Sequence, residues 1–141
     1  MAERDGMDGL AHMYNPQAAV FAQSCLEMRL LIEKLGGEAR HVSWLPGAGD
    51  LYVTVFGVRT RRLGMLIGQG HSVDEALHIM EGVTLESVEI VTRVASALRI
   101  LEKRSVVEAG QFPLLHFLDA LLNQGAEACF PWNAFFNESF L

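Results

Sequence analysis

The stretch GAGDLYVTVFGVRTRR, residues 47–62, gathers cations in a chain that is otherwise acidic. Arginine offers a planar fork of donors that binds phosphate or carboxylate bidentately, and a helix N-terminus adds exposed N–H groups and a favourable dipole. Gly57 opens a turn, so Arg59 is expected at the start of the following helix. The pattern predicts an anion site, or else Arg59, Arg61 and Arg62 only solvate a helix face. Arg59 and Arg62 share a helical face while Arg61 points elsewhere, so at most one or two can enter a common pocket.

Asp50 and Thr54 precede this cluster, nine and five residues before Arg59. Asp50 follows Gly-Ala-Gly and precedes an apolar segment, which is typical of a helix N-cap. Thr54 lies four residues later and would share its face. If both faced a cleft, they could hydrogen-bond a polyol, so Asp50 is either a cap or a ligand.

Helical periodicity predicts the elements that hold these residues. Leu51–Val55 has strand-like residues, but its helical surroundings favour a helix. Ser72 with Glu75 forms a capping box, and Pro113 stands in a first turn, where its missing N–H is harmless. We expect an all-α fold of six or seven helices, including residues 15–35, 51–55, 58–68, 73–80, 85–103 and 112–122.

The composition limits the class of protein. A chain of 141 residues, half of them apolar, is expected to form one domain, with apolar content to spare for a partner or a missing domain. The net charge of -6 and a pI near 5.3 favour neither nucleic acid nor an anionic membrane as a partner. The sequence has no membrane-span pattern and no signal peptide, so a cytoplasmic location is expected.

Other candidate motifs are interpreted as structural. The five histidines are scattered, so no metal site is expected. Cys25 and Cys129 match no zinc or redox pattern and are predicted to be buried thiols. Residues 64–70 contain three glycines inside and at the end of a helical pattern, which indicates close packing and a C-cap. No GxGxxG follows a strand, so a dinucleotide-binding domain is not expected in this chain.

Several short motifs together resemble a known family. They are Asp8-Gly9-Leu10, Asn15-Pro16-Gln17-Ala18-Ala19, Glu27-Met28, Gly49-Asp50-Leu51 with Thr54, Arg59 with Arg61-Arg62, and Phe112-Pro113-Leu114. In order and spacing they are similar to DGL, NxKAA, EM, GxxDLxxT, GRNRR and FPLF of the C-terminal domain of NAD(P)-dependent glycerol-3-phosphate dehydrogenase. The resemblance covers about residues 6–125 and leaves 126–141 as an aromatic-rich tail, expected to pack as a strap on the domain or on a partner.

The resemblance implies a single helical substrate-binding domain over residues 1–141, like the C-terminal domain of 6-phosphogluconate dehydrogenase. It implies glycerol 3-phosphate and dihydroxyacetone phosphate as ligands. Arg59, with Thr60, would hold the phosphate, and Asp50 and Thr54 would support the reacting end and a catalytic lysine. NAD or NADP would be bound mainly by a Rossmann domain before Met1, and none is expected on this chain alone. Glu86 is a candidate cofactor contact.

The sequence also departs from the family pattern. Gln17 replaces the lysine of NxKAA, and Thr60 replaces the asparagine of GRNRR. The catalytic lysine would lie a few residues before Met1, so the isolated chain is expected to be inactive. The alternative is a stand-alone, catalytically dead module for oligomerisation or regulation. Both hypotheses predict a homodimer or a larger assembly.

Overall fold

The computed structural model describes residues 14–81, 85–108 and 110–135, and over these ranges the chain forms seven α-helices and no strand. The Asp8-Gly9-Leu10 motif and the last six residues of the aromatic tail lie outside the described residues. The all-α prediction is confirmed.

The predicted helices are present, with ends that differ by one or two residues. Between the first two helices the chain forms a 3₁₀ turn, Ala39–Ser43, and a π-helical turn, Leu45–Gly49. The segment following residue 50 is a helix, not a strand. The helices are α1 (Tyr14–Lys34), α2 (Asp50–Val55), α3 (Val58–Gly68), α4 (Val73–Ile79), α5 (Glu86–Lys103), α6 (Pro113–Gln124) and α7 (Trp132–Phe135).

Local signals set the helix ends. Gly36 follows α1 with φ of 79°, a left-handed conformation that a side chain would strain. Before α4, the Ser72 N–H donates to Glu75 Oε2 at 2.8 Å and the Glu75 N–H donates to Ser72 Oγ at 3.2 Å. The capping box is therefore confirmed. Pro113 opens α6, as predicted, and Gly125 with φ of 67° ends it.

Among the described residues, two apolar clusters form the core. One cluster joins α3 to α4 through Leu63, Ala76 and Met80, with Leu85 and Val88 at the start of α5 packed against it. The other joins α5 to the start of α6 through Leu98, Val107 and Phe112, with Leu30 and Leu31 of α1 against it. Phe112, fully buried, is the largest side chain of the two clusters. The first cluster therefore brings Leu63 of α3 and Val88 of α5 into one part of the core.

Glu27 joins α1 to α6 through a buried carboxylate. Its Oε1 accepts from the Leu114 N–H at 2.7 Å and its Oε2 from the Leu115 N–H at 2.9 Å. Gln23 Nε2 also donates to Oε1 at 2.8 Å. The first N–H groups of a helix have no acceptor inside that helix. Glu27 on α1 therefore supplies acceptors for two of these N–H groups of α6. Burial raises the pKa of Glu27, although these hydrogen bonds and the charge of His116 oppose the rise.

Asp119 is the second buried carboxylate of the bundle and joins α6 to α5. Its Oδ2 accepts from Arg99 and from Gln124 Nε2, and its Oδ1 accepts from Asn123 Nδ2 at 2.8 Å. Burial alone would raise the pKa of Asp119. The hydrogen bonds from Asn123, Arg99 and Gln124 and the charge of Arg99 outweigh it, so the pKa lies below its ordinary value.

We expect Asp119→Asn to lower the free energy of unfolding by about 1 to 3 kcal/mol near neutral pH, because Arg99 loses its charged acceptor. A lowered folded-state pKa adds stability above the ordinary value of 3.8 that is lost as pH falls through the folded-state value. Denaturant unfolding at several pH values should therefore show less acid-side loss in the variant. An equal acid-side loss in both proteins would contradict this role.

Three packing predictions from the sequence are wrong. Cys129 is exposed, since it follows Gly125 on an irregular surface segment, and Cys25 is only half-buried. The apolar spacing of residues 15–35 predicts a buried helix, but most apolar residues of α1 are only half-buried, and its two buried side chains are Gln23 and Glu27. Gly64 makes no close packing contact, because a Cβ built there meets no atom within 4 Å.

The aromatic tail packs on α6 through stacked rings. The Phe130 ring lies 4.7 Å from that of Phe117 and 5.2 Å from that of Trp132, which in turn contacts Phe135. As far as Phe135, the tail is therefore a strap on the domain itself. Within the described ranges, no helix combines the length and the apolar character needed to cross a membrane.

Candidate functional site

The short helix α2 carries Asp50 and Thr54. Asp50 is the first residue of α2, and the N-cap position belongs to Gly49, which makes no side-chain cap. The N-cap interpretation of Asp50 is therefore wrong, and its carboxylate instead stands in the first turn, where the helix dipole favours a negative charge. Thr54 lies one turn later on the same face. Both side chains are exposed.

A tight turn connects α2 to α3. The Phe56 N–H donates to the Val53 carbonyl at 3.1 Å and the Gly57 N–H donates to the Thr54 carbonyl at 2.8 Å. A Cβ at Gly57 would lie 2.9 Å from that same carbonyl oxygen. This position therefore has no space for a side chain and suits glycine. The turn ends α2 at Val55 and lets α3 begin at Val58.

Arg59, Thr60, Arg61 and Arg62 all lie in the first turns of α3 and are exposed. The N-cap residue of α3 is Gly57, which gives no side-chain acceptor to the first N–H groups. Arg59 and Thr60 therefore stand beside backbone donors that no side-chain cap satisfies. Arginine next to such donors can bind a phosphate or a carboxylate. The predicted position of Arg59 at this helix start is confirmed, and its role as a ligand stays a prediction.

The start of α5 also reaches this region. The hydroxyls of Thr60 and Ser87 lie 3.0 Å apart although the two residues are 27 positions apart in sequence. Glu86, the candidate cofactor contact, precedes Ser87 and is exposed in the first turn of α5. No sequence motif indicated Ser87, because its contact depends on how α3 packs against α5.

Gly47 shapes the backbone that leads into α2. It is buried in the π-helical turn, and the N–H of Asp50 donates back to the carbonyls of Gly47 and Leu45. A Cβ at Gly47 would lie within 2.7 Å of the carbonyl carbon of Val42 and closer still to its oxygen. Such contacts are with backbone, which cannot rotate away, so only glycine fits here.

Gly47→Ala is therefore expected to lower the free energy of unfolding by about 1 to 3 kcal/mol, the usual effect of overpacking. It should also shift the amide resonances of Asp50 and its neighbours. The matched control is Gly64→Ala, where a Cβ has open space in the middle of α3 and should be neutral or slightly stabilising. Thermal unfolding of the two variants measures the difference. Equal midpoints would contradict the steric account of Gly47.

Large exposed apolar side chains lie on α2 and on the segments just before and after it, and we name this set of residues the α2 face. Val58 and Leu45 are each 79% exposed, and Trp44 is 71% exposed. Exposed apolar patches often mark interaction sites, and these residues lie close in sequence to the candidate ligands Asp50, Thr54 and Arg59. The α2 face comprises Trp44, Leu45, Tyr52, Val53, Val55, Phe56 and Val58.

Other features of the structure carry no comparable chemistry. No group of three or more His, Cys, Asp or Glu side chains in the described ranges could hold a metal ion. An open groove of about 370 Å³ lies between α1 and α5, but its lining is almost wholly apolar, with Leu31, Val94 and Ile100 among its residues. Its one charged residue, Arg93, contacts Glu89 at 2.5 Å. The groove has no converging polar groups that would orient a ligand.

Comparison with known proteins gives a consistent family. The family described as "NAD-dependent glycerol-3-phosphate dehydrogenase C-terminus" matches residues 6–129. The chain is 41% identical over 98 residues to the glycerol-3-phosphate dehydrogenase [NAD(P)+] of Syntrophomonas wolfei, covering 65% of this chain and 28% of that protein. The proteins of the same name from Pelotomaculum thermopropionicum and Lactobacillus delbrueckii are 35% and 33% identical and cover 84% and 85% of this chain.

These relatives are much longer than the matched region. The chain spans about a third of the length of the curated relatives, between 28% and 34% for the three named above. No solved structure matched the chain. The family match covers most of the seven-helix domain, including α2, α3 and the start of α5. The chain therefore belongs to the family of NAD-dependent glycerol-3-phosphate dehydrogenase C-terminal domains.

Proposed function

We propose that this chain is the substrate-binding domain of an enzyme that interconverts glycerol 3-phosphate and dihydroxyacetone phosphate. The observation that carries the proposal is the placement of Arg59 and Thr60 in the first turn of α3, directly after the helix that bears Asp50 and Thr54. One end of this arrangement suits a phosphate, and the other suits hydroxyl or carbonyl oxygens. Family membership supports the same assignment.

Arg59 would bind the phosphate of the substrate. Its guanidinium donates two parallel hydrogen bonds to phosphate oxygens, and the first N–H groups of α3 add donors and a positive partial charge. Thr60 adds a hydroxyl at the same helix start. A phosphate dianion suits this position because the helix end and the arginine both favour negative charge.

Asp50 and Thr54 would contact the reacting end of the substrate. The carboxylate of Asp50 accepts a hydrogen bond from a substrate hydroxyl, and the hydroxyl of Thr54 either donates or accepts. Both lie on one face of α2, so they can contact neighbouring oxygens of a three-carbon chain. They would also orient the catalytic lysine, which the resemblance to the family implies but this stretch of sequence does not supply.

The described residues do not by themselves fit a complete site for NAD or NADP. A dinucleotide is typically held where a strand meets a glycine-rich turn and a helix, and the described ranges contain helices only. Glu86 remains a candidate contact from the start of α5. We therefore assign the cofactor, and with it the hydride transfer, to a partner domain and expect no turnover from this chain alone.

The α2 face would pack against that partner domain. The relatives have about two thirds of their length outside the matched region, which leaves ample chain for a second domain. The exposed apolar residues lie beside Asp50 and Arg59, so a domain docked there would enclose the ligands. Enclosure excludes water and strengthens the electrostatic contacts to the substrate.

Amide-resolved NMR of the 141-residue chain tests the proposed site. Glycerol 3-phosphate is titrated in, with inorganic phosphate and glycerol as controls. We expect saturable shifts at Asp50, Thr54, Arg59 and Thr60. The dissociation constant should be of roughly millimolar order, because half a site makes too few contacts to offset the entropy lost on binding. Inorganic phosphate should shift only the start of α3.

The proposal fails if glycerol 3-phosphate at tens of millimolar, roughly ten times the expected dissociation constant, moves none of these resonances. It also fails if the shifts cluster on another surface, such as the groove between α1 and α5. Equal shifts from phosphate and from the ester over the whole site would argue against a role for Asp50 and Thr54 in recognising the substrate.

The α2 face also supports a second candidate, a stand-alone module that assembles with copies of itself. In that case Tyr52 and Phe56, which are each 61% exposed, would be covered by a second copy. Both candidates allow assembly, so sedimentation of the chain and of Phe56→Asp is combined with the glycerol 3-phosphate titration to distinguish them. Concentration-dependent dimers that Phe56→Asp abolishes, together with no binding of glycerol 3-phosphate, would favour the module.

A further inference from the structure

Two hydroxyls bridge helices α3 and α5 at the candidate site. Thr60 Oγ1 and Ser87 Oγ lie 3.0 Å apart, one in the first turn of α3 and the other in the first turn of α5. Ser87 is half-buried and Thr60 is exposed. The pair therefore joins a residue at the edge of the site to a residue that sequence analysis did not single out.

The pair stands on a packed support. Leu63, one turn after Thr60, is 4% exposed, and Val88, the residue after Ser87, packs against its cluster. Met80 and Ala76 are the other buried members of that cluster. Each hydroxyl is therefore carried by a helix that contributes an apolar side chain to the same cluster.

The number of protons on the two hydroxyls limits which groups the pair can donate to. Each hydroxyl carries one proton and two lone pairs. One proton is used between Thr60 and Ser87, which leaves one donor for a third group. If Ser87 donates to Thr60, the Thr60 proton is directed away from Ser87 and is free to meet an acceptor. A phosphate oxygen bound by the neighbouring Arg59 would be such an acceptor.

We propose that Ser87 is a positioning residue for phosphate-monoester binding, donating to Thr60 Oγ1 so that the Thr60 hydroxyl donates to the phosphate. This inference rests on the proposed function, in which Arg59 and Thr60 hold the phosphate. Ser87 itself does not touch the ligand. Its effect is to hold the Thr60 hydroxyl in one orientation and to polarise it, as linked hydrogen bonds do.

The test is a titration of glycerol 3-phosphate into the 141-residue chain and its variants, followed by NMR. Ser87→Ala and Thr60→Ala should each raise the dissociation constant by about 5- to 10-fold, the loss of roughly one ordinary hydrogen bond. The double variant should bind no worse than Thr60→Ala, since Ser87 acts through Thr60. Ser87→Thr, which keeps the hydroxyl, should restore binding.

Two controls separate positioning from a structural role. Ser96→Ala removes an exposed hydroxyl from the same helix and should leave binding unchanged. Thr60→Asn supplies amide donors of its own, so Ser87→Ala should have no effect in that background. A merely structural role of Ser87 would weaken binding in both backgrounds and would lower the unfolding midpoint.

The following results would contradict the proposed role of Ser87. Binding by Ser87→Ala as tight as that of the unaltered chain would overturn it while leaving the proposed function in place. Effects of Ser87→Ala and Thr60→Ala that multiply in the double variant would also overturn it. If the unaltered chain shows no saturable shift at all, the proposed phosphate site fails first and the role of Ser87 fails with it.

Discussion

Arg59→Ala is expected to reduce the affinity for glycerol 3-phosphate to an unmeasurable level. The substitution removes the charged fork that lies beside the first backbone donors of α3 and the Thr60 hydroxyl. Hydrogen bonds from a charged group contribute about 2 to 3 kcal/mol, or roughly 30- to 150-fold in the dissociation constant. From a starting value of roughly millimolar order, such a loss exceeds the range of the titration.

The matched control for this variant is Arg61→Ala. It removes the same charge from the same helix turn, but from another face, so it changes the local field without removing the bidentate contact. We expect at most a small loss that vanishes at high salt, because screening weakens long-range attraction more than direct contact. Arg59→Lys should keep part of the affinity, since lysine supplies charge without the planar fork.

Unaltered binding by Arg59→Ala would show that Arg59 is a surface residue that solvates the helix face. Equal losses from Arg59→Ala and Arg61→Ala would show that net charge, and not a defined contact, attracts the anion. The same titration series therefore decides between the two interpretations that the sequence alone leaves open.

Glu27→Leu is expected to lower the free energy of unfolding by about 3 to 5 kcal/mol, a large part of the 5 to 15 kcal/mol that is usual for a domain. The leucine leaves the N–H groups of Leu114 and Leu115 without their acceptor at the buried start of α6. It also leaves Gln23 without a partner in a buried position. Denaturant unfolding followed by circular dichroism measures the loss.

Glu33→Gln is the control, because Glu33 lies on the same helix but is exposed and contacts Arg29 only at 3.9 Å. It should change the free energy of unfolding by less than about 0.5 kcal/mol. A similar loss in both variants would indicate that any acidic residue of α1 matters equally, which would contradict a capping role for Glu27.

The raised pKa of Glu27 adds a prediction about pH. Burial is the main cause of the rise, so the folded protein holds a proton at pH values where the unfolded chain has lost it. The contribution of Glu27 is therefore most favourable below its ordinary value of 4.5 and declines as pH rises through the folded-state value. The stability difference between the unaltered chain and Glu27→Gln should show this decline as pH rises above 4.5. A difference that does not vary with pH would contradict it.

The sequence by itself determined the helices and most of their ends. Ser72 and Glu75, Pro113 and Gly36 act within one turn of the chain, so their effects can be read from neighbouring residues. The sequence also placed Arg59 at a helix start and identified the family, because the order and spacing of motifs can be read without knowing how the helices pack.

Only the tertiary structure decided which side chains meet across helices. Glu27 reaches α6 over 87 residues, and Ser87 meets Thr60 over 27. The exposure of Cys129 and the position of Asp50 inside α2 were likewise misjudged from the sequence. Contacts of this kind depend on the angle and separation at which helices pack. A periodic pattern gives the face of each helix but not its partner, so these contacts follow from the assembled core.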